Sequence, residues 1–362
     1  MMAQHALPAP VPLPRWTLAP IAIAYRHAVR VRNTRFDSGN RSVYDAGAPV
    51  VSVGNITAGG TGKTPMSHWV ARTLLAEDLS PAIALRGYHA SRRSESDEAT
   101  EHEQALANVP VAIGSDRISA LRSLTLRGET FDCVVLDDGF QRRDVKRQLD
   151  IVLLDATRDP FRDAMLPAGL LREPVAALCR AGAIVVTRAD RVSEAALRTI
   201  EQNIRVAAPQ AIFASAAHRW TGVRVHDAGG DREEKTAWLS GKTVVACCAI
   251  GRPEAFFGQL RDAGATLTQT IALRDHASFS SRALRQLERA AAINKAHAIV
   301  CTEKDWMKLR HTAMAQCPPA PIARPCVAMQ FLSGEQDLRA AVLAAVHIDA
   351  ARASAQGEPA AM

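Results

Sequence analysis

Apolar runs of four or five residues recur along the first half of the chain, and several of the segments between them show apolar residues at helical spacing. The runs lie at residues 49–53, 82–85, 109–113, 133–136, 150–154 and 183–187. Short apolar runs that alternate with helical patterns are typical of a parallel sheet with helices on both faces. We therefore predict a doubly wound α/β core domain over residues 37–220, with ligands bound at the carboxyl ends of its strands.

The pattern changes between residues 221 and 240, where a short apolar run precedes a polar, glycine-containing turn region. A second series of strand-like runs follows at 244–250, 298–302 and 327–331, with helical patterns at 253–263, 281–294 and 335–346. This predicts a linker over 221–240 and a smaller α/β domain over 241–348. The ends of the chain, residues 1–14 and 349–362, have compositions typical of disordered tails.

The segment before the core domain, within residues 1–36, predicts an amphipathic helix. Ile21, Ala24, Tyr25 and Ala28 recur at helical spacing, and arginines follow closely. Residues 1–47 contain six arginines against two aspartates, a net charge of +4. A basic amphipathic helix suits an anionic membrane surface. The same residues are equally compatible with a helix that packs on the protein's own core and leaves its arginines in water.

The composition narrows the class of protein. The 362 residues are 48% hydrophobic, the mean hydropathy is −0.06, and no run of 18 apolar residues predicts a membrane-spanning helix. A net charge of +7 predicts an acidic partner such as nucleic acid, anionic lipid or a phosphorylated substrate. Aromatic residues make up only 5% and form no basic patch, which argues against nucleic acid. The seven cysteines form no CxxC pair, so we interpret them as reduced core residues of a cytosolic protein without a zinc site.

The most informative motif is a glycine-rich turn between an apolar strand and a helical segment. It reads Thr57-Ala58-Gly59-Gly60-Thr61-Gly62-Lys63-Thr64, and we predict that these eight residues bind ATP. The backbone N–H groups of such a loop converge on phosphate oxygens. Lys63 would reach the β- and γ-phosphates, and the Thr64 hydroxyl would face Mg²⁺. Thr57 departs from the standard pattern, which has glycine at that position.

A second motif follows the apolar strand at 133–136, where two carboxylates, Asp137 and Asp138, precede a glycine. An aspartate at such a strand end holds Mg²⁺ in phosphate-loop enzymes, directly or through water. We therefore predict that one of the two points toward the metal and the other toward a neighbouring loop; the family resemblance described below implies that both lie near the metal. The alternative is a strand-end turn that uses Asp-Gly chemistry.

Together, several motifs in the chain closely resemble the tetraacyldisaccharide 4′-kinases, the lipid A 4′-kinases of Gram-negative bacteria. The matching pieces occur in the family's order, at 53–65, 86–88, 137–141, 166–169 with 172–173, 249–251 with 253 and 256–257, 275–276, and 302–305. The resemblance implies transfer of the γ-phosphate of ATP to the 4′-hydroxyl of tetraacyldisaccharide 1-phosphate, which gives lipid IVA. It also implies a peripheral, non-spanning position on the cytoplasmic face of the inner membrane, and it favours membrane contact by the N-terminal helix. We predict no obligate protein partner.

The resemblance also implies roles for individual residues. Asp97 corresponds to the family's proposed base and Glu98 to a Mg²⁺ ligand, although the family's flanking Gly and Pro are Ser96 and Ala99 here. Taken alone, the polar run 90–103 predicts only a solvated loop. His276 corresponds to a histidine that partners the base. Lys63 and Asp138 complete the catalytic set, and the predicted substrate and membrane contacts are Tyr25, Arg26, Arg30, Arg86, Gln141 and Arg172.

Two other functions fit the phosphate loop. A membrane-associated switch ATPase would carry a lysine where this chain has Ala58. A soluble small-molecule kinase or ligase would not explain the basic amphipathic start of the chain. Both are therefore weaker interpretations than the lipid kinase.

Overall fold

A computed structural model describes residues 15–86, 92–274 and 277–356, and within these ranges twelve strands form one mixed sheet. The strands are Val50–Asn55 (β1), Pro81–Leu85 (β2), Val111–Ile113 (β3), Cys133–Asp137 (β4), Leu149–Asp155 (β5), Ala183–Thr187 (β6), Ile212–Asp227 (β7), Gly230–Glu234 (β8), Thr243–Cys248 (β9), Thr266–Ala272 (β10), Ala298–Val300 (β11) and Ile322–Ser333 (β12). The helices are Arg15–Asp37 (α1), Lys63–Leu75 (α2), Arg92–Ala105 (α3), Arg117–Leu126 (α4), Glu194–Ala207 (α5), Pro253–Asp262 (α6), Ser281–Ile293 (α7), Glu303–Leu309 (α8), Ala313–Gln316 (α9) and Glu335–Gln356 (α10). Short 3₁₀ turns lie at Val175–Arg180, Ala189–Arg191 and Thr236–Leu239.

The sheet runs in the order β10-β9-β11-β12-β7-β6-β5-β1-β4-β2-β3, with β8 paired to β7. From β3 to β7 the strands are parallel, and from β12 to β10 they are parallel again. Strand order reverses beside β1, whose neighbours β4 and β5 lie on opposite sides of it. A ligand crevice is expected at such a switch point, outside the carboxyl ends of the strands.

Helices cover both faces of the sheet, as the alternation of patterns predicted. On one face α2 and α10 pack Met66, Val70 and Leu338 against β1. On the other face α5 packs Ile200 and Ile204 against β5 and β6. The prediction of a doubly wound α/β fold with an N-terminal helix is confirmed.

The predicted linker at 221–240, a possible strand at 221–225 and then a polar turn region, has more regular structure than the sequence indicates. Most of this range belongs to the end of β7 and to the hairpin partner β8. Strands β7 and β12 form a long antiparallel ladder, from Ser215 beside Ser333 to His226 beside Ile322. The first-half and second-half strands are therefore continuous in one hydrogen-bonded sheet. The sequence hid this because a solvated ribbon with alternating polar residues resembles a turn region.

A buried arginine lies beside this junction. Arg324 on β12 is 1% exposed, and its guanidinium lies 3.1 Å from Glu303 and 2.5 Å from Asp231. The same group stacks over the Trp306 ring at 4.6 Å. We call Arg324, Glu303 and Asp231 the Arg324 cluster; it ties β12 to α8 and β8.

Helix α1 packs partly on the first half of the molecule. Val29 is buried, and Glu173, which is fully buried, accepts hydrogen bonds from Arg32 at 2.9 Å and Asn33 at 3.0 Å. The opposite side of the helix exposes apolar side chains, with Ile21 57% and Ile23 68% accessible. One face of this helix therefore packs on the protein's own core, and the other face exposes apolar side chains.

Three local predictions need correction. Residues 350–356 continue α10 as helix, where a disordered tail was predicted; residues 1–14 and 357–362 lie outside the described part of the chain. Residues 92–105 form α3 rather than a loop. Cys133, Cys247, Cys248 and Cys301 are buried as predicted, but Cys179 and Cys317 are exposed. Within the described ranges, no helix combines the length and the apolar character that crossing a membrane requires.

Candidate active site

The phosphate loop connects the end of β1 to the first turn of α2. Gly62 is the N-cap of α2 and has φ 94°, in the left-handed region that favours glycine. A Cβ at this position would lie 2.2 Å from Nε2 of His218, so any other residue would also force the His218 side chain to move. The glycine therefore lets the chain enter the helix with the loop amides beside the helix N-terminus, an arrangement suited to anions.

Side chains from two elements fix the shape of this loop. Asn55 Nδ2 donates to Thr61 Oγ1 at 3.0 Å, and both residues are buried. Thr187 Oγ1 donates to the Thr61 carbonyl at 3.0 Å, and Arg188 Nη2 donates to the Gly60 carbonyl at 2.9 Å. The loop is therefore held by the ends of β1 and β6 before any ligand arrives.

The entry to the loop is also anchored. The Ala58 N–H donates to the Leu170 carbonyl at 2.7 Å, and Thr57 is buried and forms a β-bridge with Leu171. The threonine that departs from the standard pattern therefore pairs with the segment that precedes Arg172. Gly59 adopts φ 106° and leads into the exposed tip of the loop.

Three charged side chains meet at the start of α2, and we call them the phosphate cluster: Lys63, Asp138 and Arg172. Lys63 Nζ lies 3.5 Å from Asp138 Oδ1, and Arg172 Nη1 lies 3.0 and 3.1 Å from the two Asp138 oxygens. Gln141 supports the cluster, since its Nε2 donates to the Asn55 carbonyl at 2.7 Å. The predicted residues 63, 138, 141 and 172 are thus brought together, with two cations around one carboxylate.

Asp137 lies beside this cluster at the end of β4, and both of its oxygens have partners. Oδ1 accepts the Asp138 N–H at 2.9 Å, and Oδ2 lies 3.4 Å from Nε2 of the buried His102. Burial alone would raise the pKa of the Asp137 carboxyl, but the contact with His102 and the charge of Lys63 outweigh it and lower the pKa. Asp137 is therefore ionised at neutral pH, as a metal ligand must be.

The donor set at this position suits Mg²⁺. Among the described residues, no three or more His, Cys, Asp or Glu side chains cluster as a complete metal site. Mg²⁺ bound with a nucleotide needs only one or two carboxylates, because phosphates and water supply the remaining oxygens. Asp137, Asp138 and the Thr64 hydroxyl in the first turn of α2 meet that requirement.

The other predicted residues lie in different places. Asp97 and Glu98 fall within α3, but their side chains lie outside the described part of the structure, and so does the whole of His276. Arg86 follows β2 at the rim of the cleft. Tyr25 of α1 reaches the site indirectly, since its hydroxyl donates to the Arg172 carbonyl at 3.1 Å. Arg26 and Arg30 are exposed on α1.

Several residues that the sequence did not single out also belong to the site. Glu101 and His102 of α3 line the cleft, as does His68 of α2. Burial raises the pKa of Glu101 to about 7, and the nearby carboxylate of Glu303 adds to this effect while His102 opposes it. Arg117 is fully buried, close enough to Asp138 for the two charges to interact, and donates to the Gly114 carbonyl at 2.6 Å. The available signal in the sequence was His102, which lies at helical spacing between Ala99 and Leu106.

A cleft of about 1070 Å³ joins the phosphate loop to the second half of the molecule. Its far wall carries Trp220, Arg224, Arg252, Phe256 and Glu303. Arg252 crosses the cleft to Asp155 (3.6 Å). The volume reaches the upper end of the range for pockets that hold one drug-sized ligand. The arrangement can therefore bind phosphates at one wall and a second reactant against the other.

Comparison with known proteins agrees with these features. A family model described as tetraacyldisaccharide-1-P 4′-kinase, LpxK, matches residues 14–347. The tetraacyldisaccharide 4′-kinase of Geobacter metallireducens is 34% identical over 311 residues, which cover 81% of this chain and 88% of that protein. The enzyme of the same name from Anaeromyxobacter is 34% identical over 349 residues, 91% of this chain and 92% of that protein.

A solved structure has the same fold. The crystal structure of LpxK from Aquifex aeolicus in complex with ATP matches with a TM-score of 0.71 and covers 92% of this chain and 99% of that one. The identity between the two chains is 22%, so this likeness concerns the fold.

Proposed function

The chain belongs to the tetraacyldisaccharide-1-P 4′-kinase family, and we infer that it is an ATP-dependent lipid kinase. The reaction transfers the γ-phosphate of ATP to the 4′-hydroxyl of tetraacyldisaccharide 1-phosphate and gives lipid IVA, a step of lipid A biosynthesis. The observation that carries this inference is the phosphate cluster, which places Lys63 and Arg172 around Asp138 at the N-terminus of α2. Two fixed cations at a helix N-terminus suit a polyphosphate.

Each residue of the site has a role in this proposal. The amides of residues 57–64 bind the phosphates, and Lys63 binds the β- and γ-phosphates. The cations Lys63 and Arg172 stabilise the charge that develops on the transferred group. Asp137, Asp138 and Thr64 would hold Mg²⁺, with Glu98 as a further ligand. When bound, Mg²⁺ would neutralise part of the negative charge of the phosphates.

The acceptor hydroxyl must lose its proton to a base, and that base must be correctly oriented. Asp97 takes the proton of the 4′-hydroxyl as it attacks phosphorus, and His276 orients that carboxylate. Asp97 belongs to the core domain proposed at 37–220, and His276 to the smaller domain proposed at 241–348. We propose that a movement that brings these two halves together would assemble the site and exclude water.

A transfer assay tests the reaction and the base together. We would measure labelled γ-phosphate transfer from Mg-ATP to tetraacyldisaccharide 1-phosphate in detergent micelles, for wild type and Asp97→Asn. We expect lipid-dependent transfer by wild type and a loss of about 10²–10⁴-fold in the variant, with ATP binding intact. Transfer that survives the substitution moves the base to another residue. ATP hydrolysis without any transfer by wild type disproves the kinase and favours a switch ATPase.

We further propose that the protein lies on the cytoplasmic face of the inner membrane, with the exposed side of α1 against the lipid. That side presents Ile21, Ile23 and Val31 together with Arg26 and Arg30. Exposed apolar side chains interleaved with arginines suit the interface of an anionic bilayer. The packed side, through Val29 and Glu173, holds this surface in a fixed relation to the site.

Vesicle sedimentation tests this orientation. Each arginine near an anionic surface contributes about 1 kcal/mol, so Arg26→Ala with Arg30→Ala should weaken binding to phosphatidylglycerol vesicles by roughly 30-fold. Binding to phosphatidylcholine vesicles should change little. The matched control is Arg198→Ala with Arg205→Ala, two exposed arginines of α5. An equal loss in the control contradicts a specific role for α1.

A further inference from the structure

Helix α3 buries a histidine where its pattern calls for an apolar residue. Ala99 and His102 of the helix, and Leu106 directly after it, follow the spacing of one helical stripe, and each is less than 5% exposed. On the facing helix α2, His68 is 7% exposed and lies one turn before the buried Ala71. Burying an imidazole costs free energy unless its nitrogens are hydrogen-bonded, so this pair of histidines needs a compensating network.

The two rings form a hydrogen-bonded chain that ends on Asp137. His68 Nε2 lies 3.0 Å from His102 Nδ1, with the rings perpendicular and their centroids 4.8 Å apart. His102 Nε2 lies 3.4 Å from Asp137 Oδ2. An ionised carboxylate only accepts, so His102 carries a proton on Nε2. A neutral His102 then accepts at Nδ1 from the Nε2–H of His68, which gives the chain one direction.

Burial of the His68 ring lowers its pKa to about 3. His68 is therefore neutral at physiological pH. The Asp137 oxygen at the end of the chain receives a proton donor from α3, while the other oxygen receives the Asp138 N–H.

We propose that His68 and His102 are positioning residues, which hold the Asp137 carboxylate in the orientation that accepts Mg²⁺ and lock α3 against α2. This inference rests on the proposed function, since it concerns the metal that accompanies ATP. Outer partners of metal-ligating carboxylates orient them and raise metal affinity, commonly by 10- to 100-fold. His102 also couples that orientation to α3, the helix that contains Asp97 and Glu98.

The test measures Mg²⁺ affinity and not turnover. We would titrate Mg²⁺ against a fluorescent ATP analogue bound to the full chain, without lipid, and record the Mg²⁺ concentration at half-maximal binding. We expect His102→Leu to raise this midpoint about 10-fold and His68→Leu about threefold. His102→Gln keeps a donor at the Nε2 position and should stay within about threefold of wild type. Binding of the analogue in EDTA should be equal in all variants.

A double-mutant cycle separates positioning from general loosening of the fold. Because His68 acts through His102, His68→Leu should add nothing in the His102→Leu background, whereas independent packing defects would multiply. Glu103→Gln, an exposed residue of α3, is the matched control and should not move the midpoint.

Three results overturn the inference: an unchanged midpoint in folded His102→Leu, fully multiplicative effects, or wild-type binding that ignores Mg²⁺. If His102→Leu does not fold, an unchanged midpoint in His68→Leu overturns it instead. Because no lipid is present, a chain that passes this test but fails to phosphorylate lipid disproves only the proposed function.

Discussion

The phosphate cluster and the Arg324 cluster contain the same kinds of side chain in opposite arrangements. Around Asp138, two cations surround one carboxylate, and all three side chains are between 16% and 23% exposed. In the second half, two carboxylates surround one cation, and that cation is 1% exposed. The first cluster therefore has an excess of positive charge in reach of solvent, and the second buries its charge against its own partners.

This difference in charge and exposure indicates that the first cluster serves anion binding and the second serves the stability of the fold. Partly exposed cations cost little to leave without an anion, and they bind one strongly when it arrives in a cleft that excludes water. A buried guanidinium must be paired in the folded state at all times, so it contributes to the fold and its specificity. Substitutions in the two clusters should consequently separate activity from stability.

The largest expected effect concerns the buried arginine. Arg324→Met leaves the Glu303 carboxyl without its cation, and we expect the free energy of unfolding to fall by about 2–4 kcal/mol. This range allows for the 47% exposure of Asp231, which softens its part of the loss. Urea unfolding measures the change. The matched control is Arg339→Met, whose ion pair with Glu77 is exposed and should change stability by less than about 1 kcal/mol.

The next effect concerns the phosphate cluster, where we expect a large loss of activity and little change in stability. Lys63→Met should reduce phosphate transfer by about 10²–10³-fold, because it removes a cation from the developing charge. Its free energy of unfolding should change by less than about 1 kcal/mol, since the pair with Asp138 is long and partly exposed. Lys146→Met, at an exposed ion pair with Asp45, should retain full transfer. If Lys63→Met instead lost stability and kept phosphate transfer, the phosphate cluster would serve the fold and not the reaction.

The smallest effect concerns Glu101, which lines the cleft between the two halves of the molecule. The pKa of Glu101 is raised to about 7 by burial, above its usual 4.5, so the folded state holds a proton that the unfolded state releases. Wild-type stability should therefore fall between pH 4.5 and pH 7 relative to Glu101→Gln, by at most about 3.4 kcal/mol. Urea unfolding of both proteins at pH 5, 6, 7 and 8 measures this slope. The stability of Glu103→Gln should depend on pH as the stability of wild type does. If the stability of Glu101→Gln has the same pH dependence as well, the pKa of Glu101 is not raised.

Local patterns predicted the first half of the molecule well. The turn from Thr57 to Thr64 and the paired aspartates at 137 and 138 each come directly after a predicted strand. The sequence could therefore predict that the two motifs lie close together. The alternation of apolar runs likewise predicted the doubly wound sheet, and its parallel strands place both motifs at one edge.

Other parts of the site depend on packing between distant segments, which no local pattern contains. The Asp137–His102–His68 chain joins three elements, and each histidine alone resembles an ordinary buried polar residue. The contact of Arg188 with Gly60 spans 128 positions and needs a left-handed residue after β6. The pairing of β7 with β12 could not be predicted either, because it joins segments that lie about a hundred residues apart in the sequence.

The carbonyl of Arg172 accepts the hydroxyl of Tyr25, and the guanidinium of the same residue binds Asp138. A single residue thus separates the N-terminal helix from the carboxylate of the phosphate cluster. If the exposed side of that helix lies on a bilayer, as we propose, the protein itself fixes the height of the phosphate cluster above the lipid. Only hydroxyl groups at a matching depth would then come within reach of the transferred phosphate, whatever the shape of the pocket.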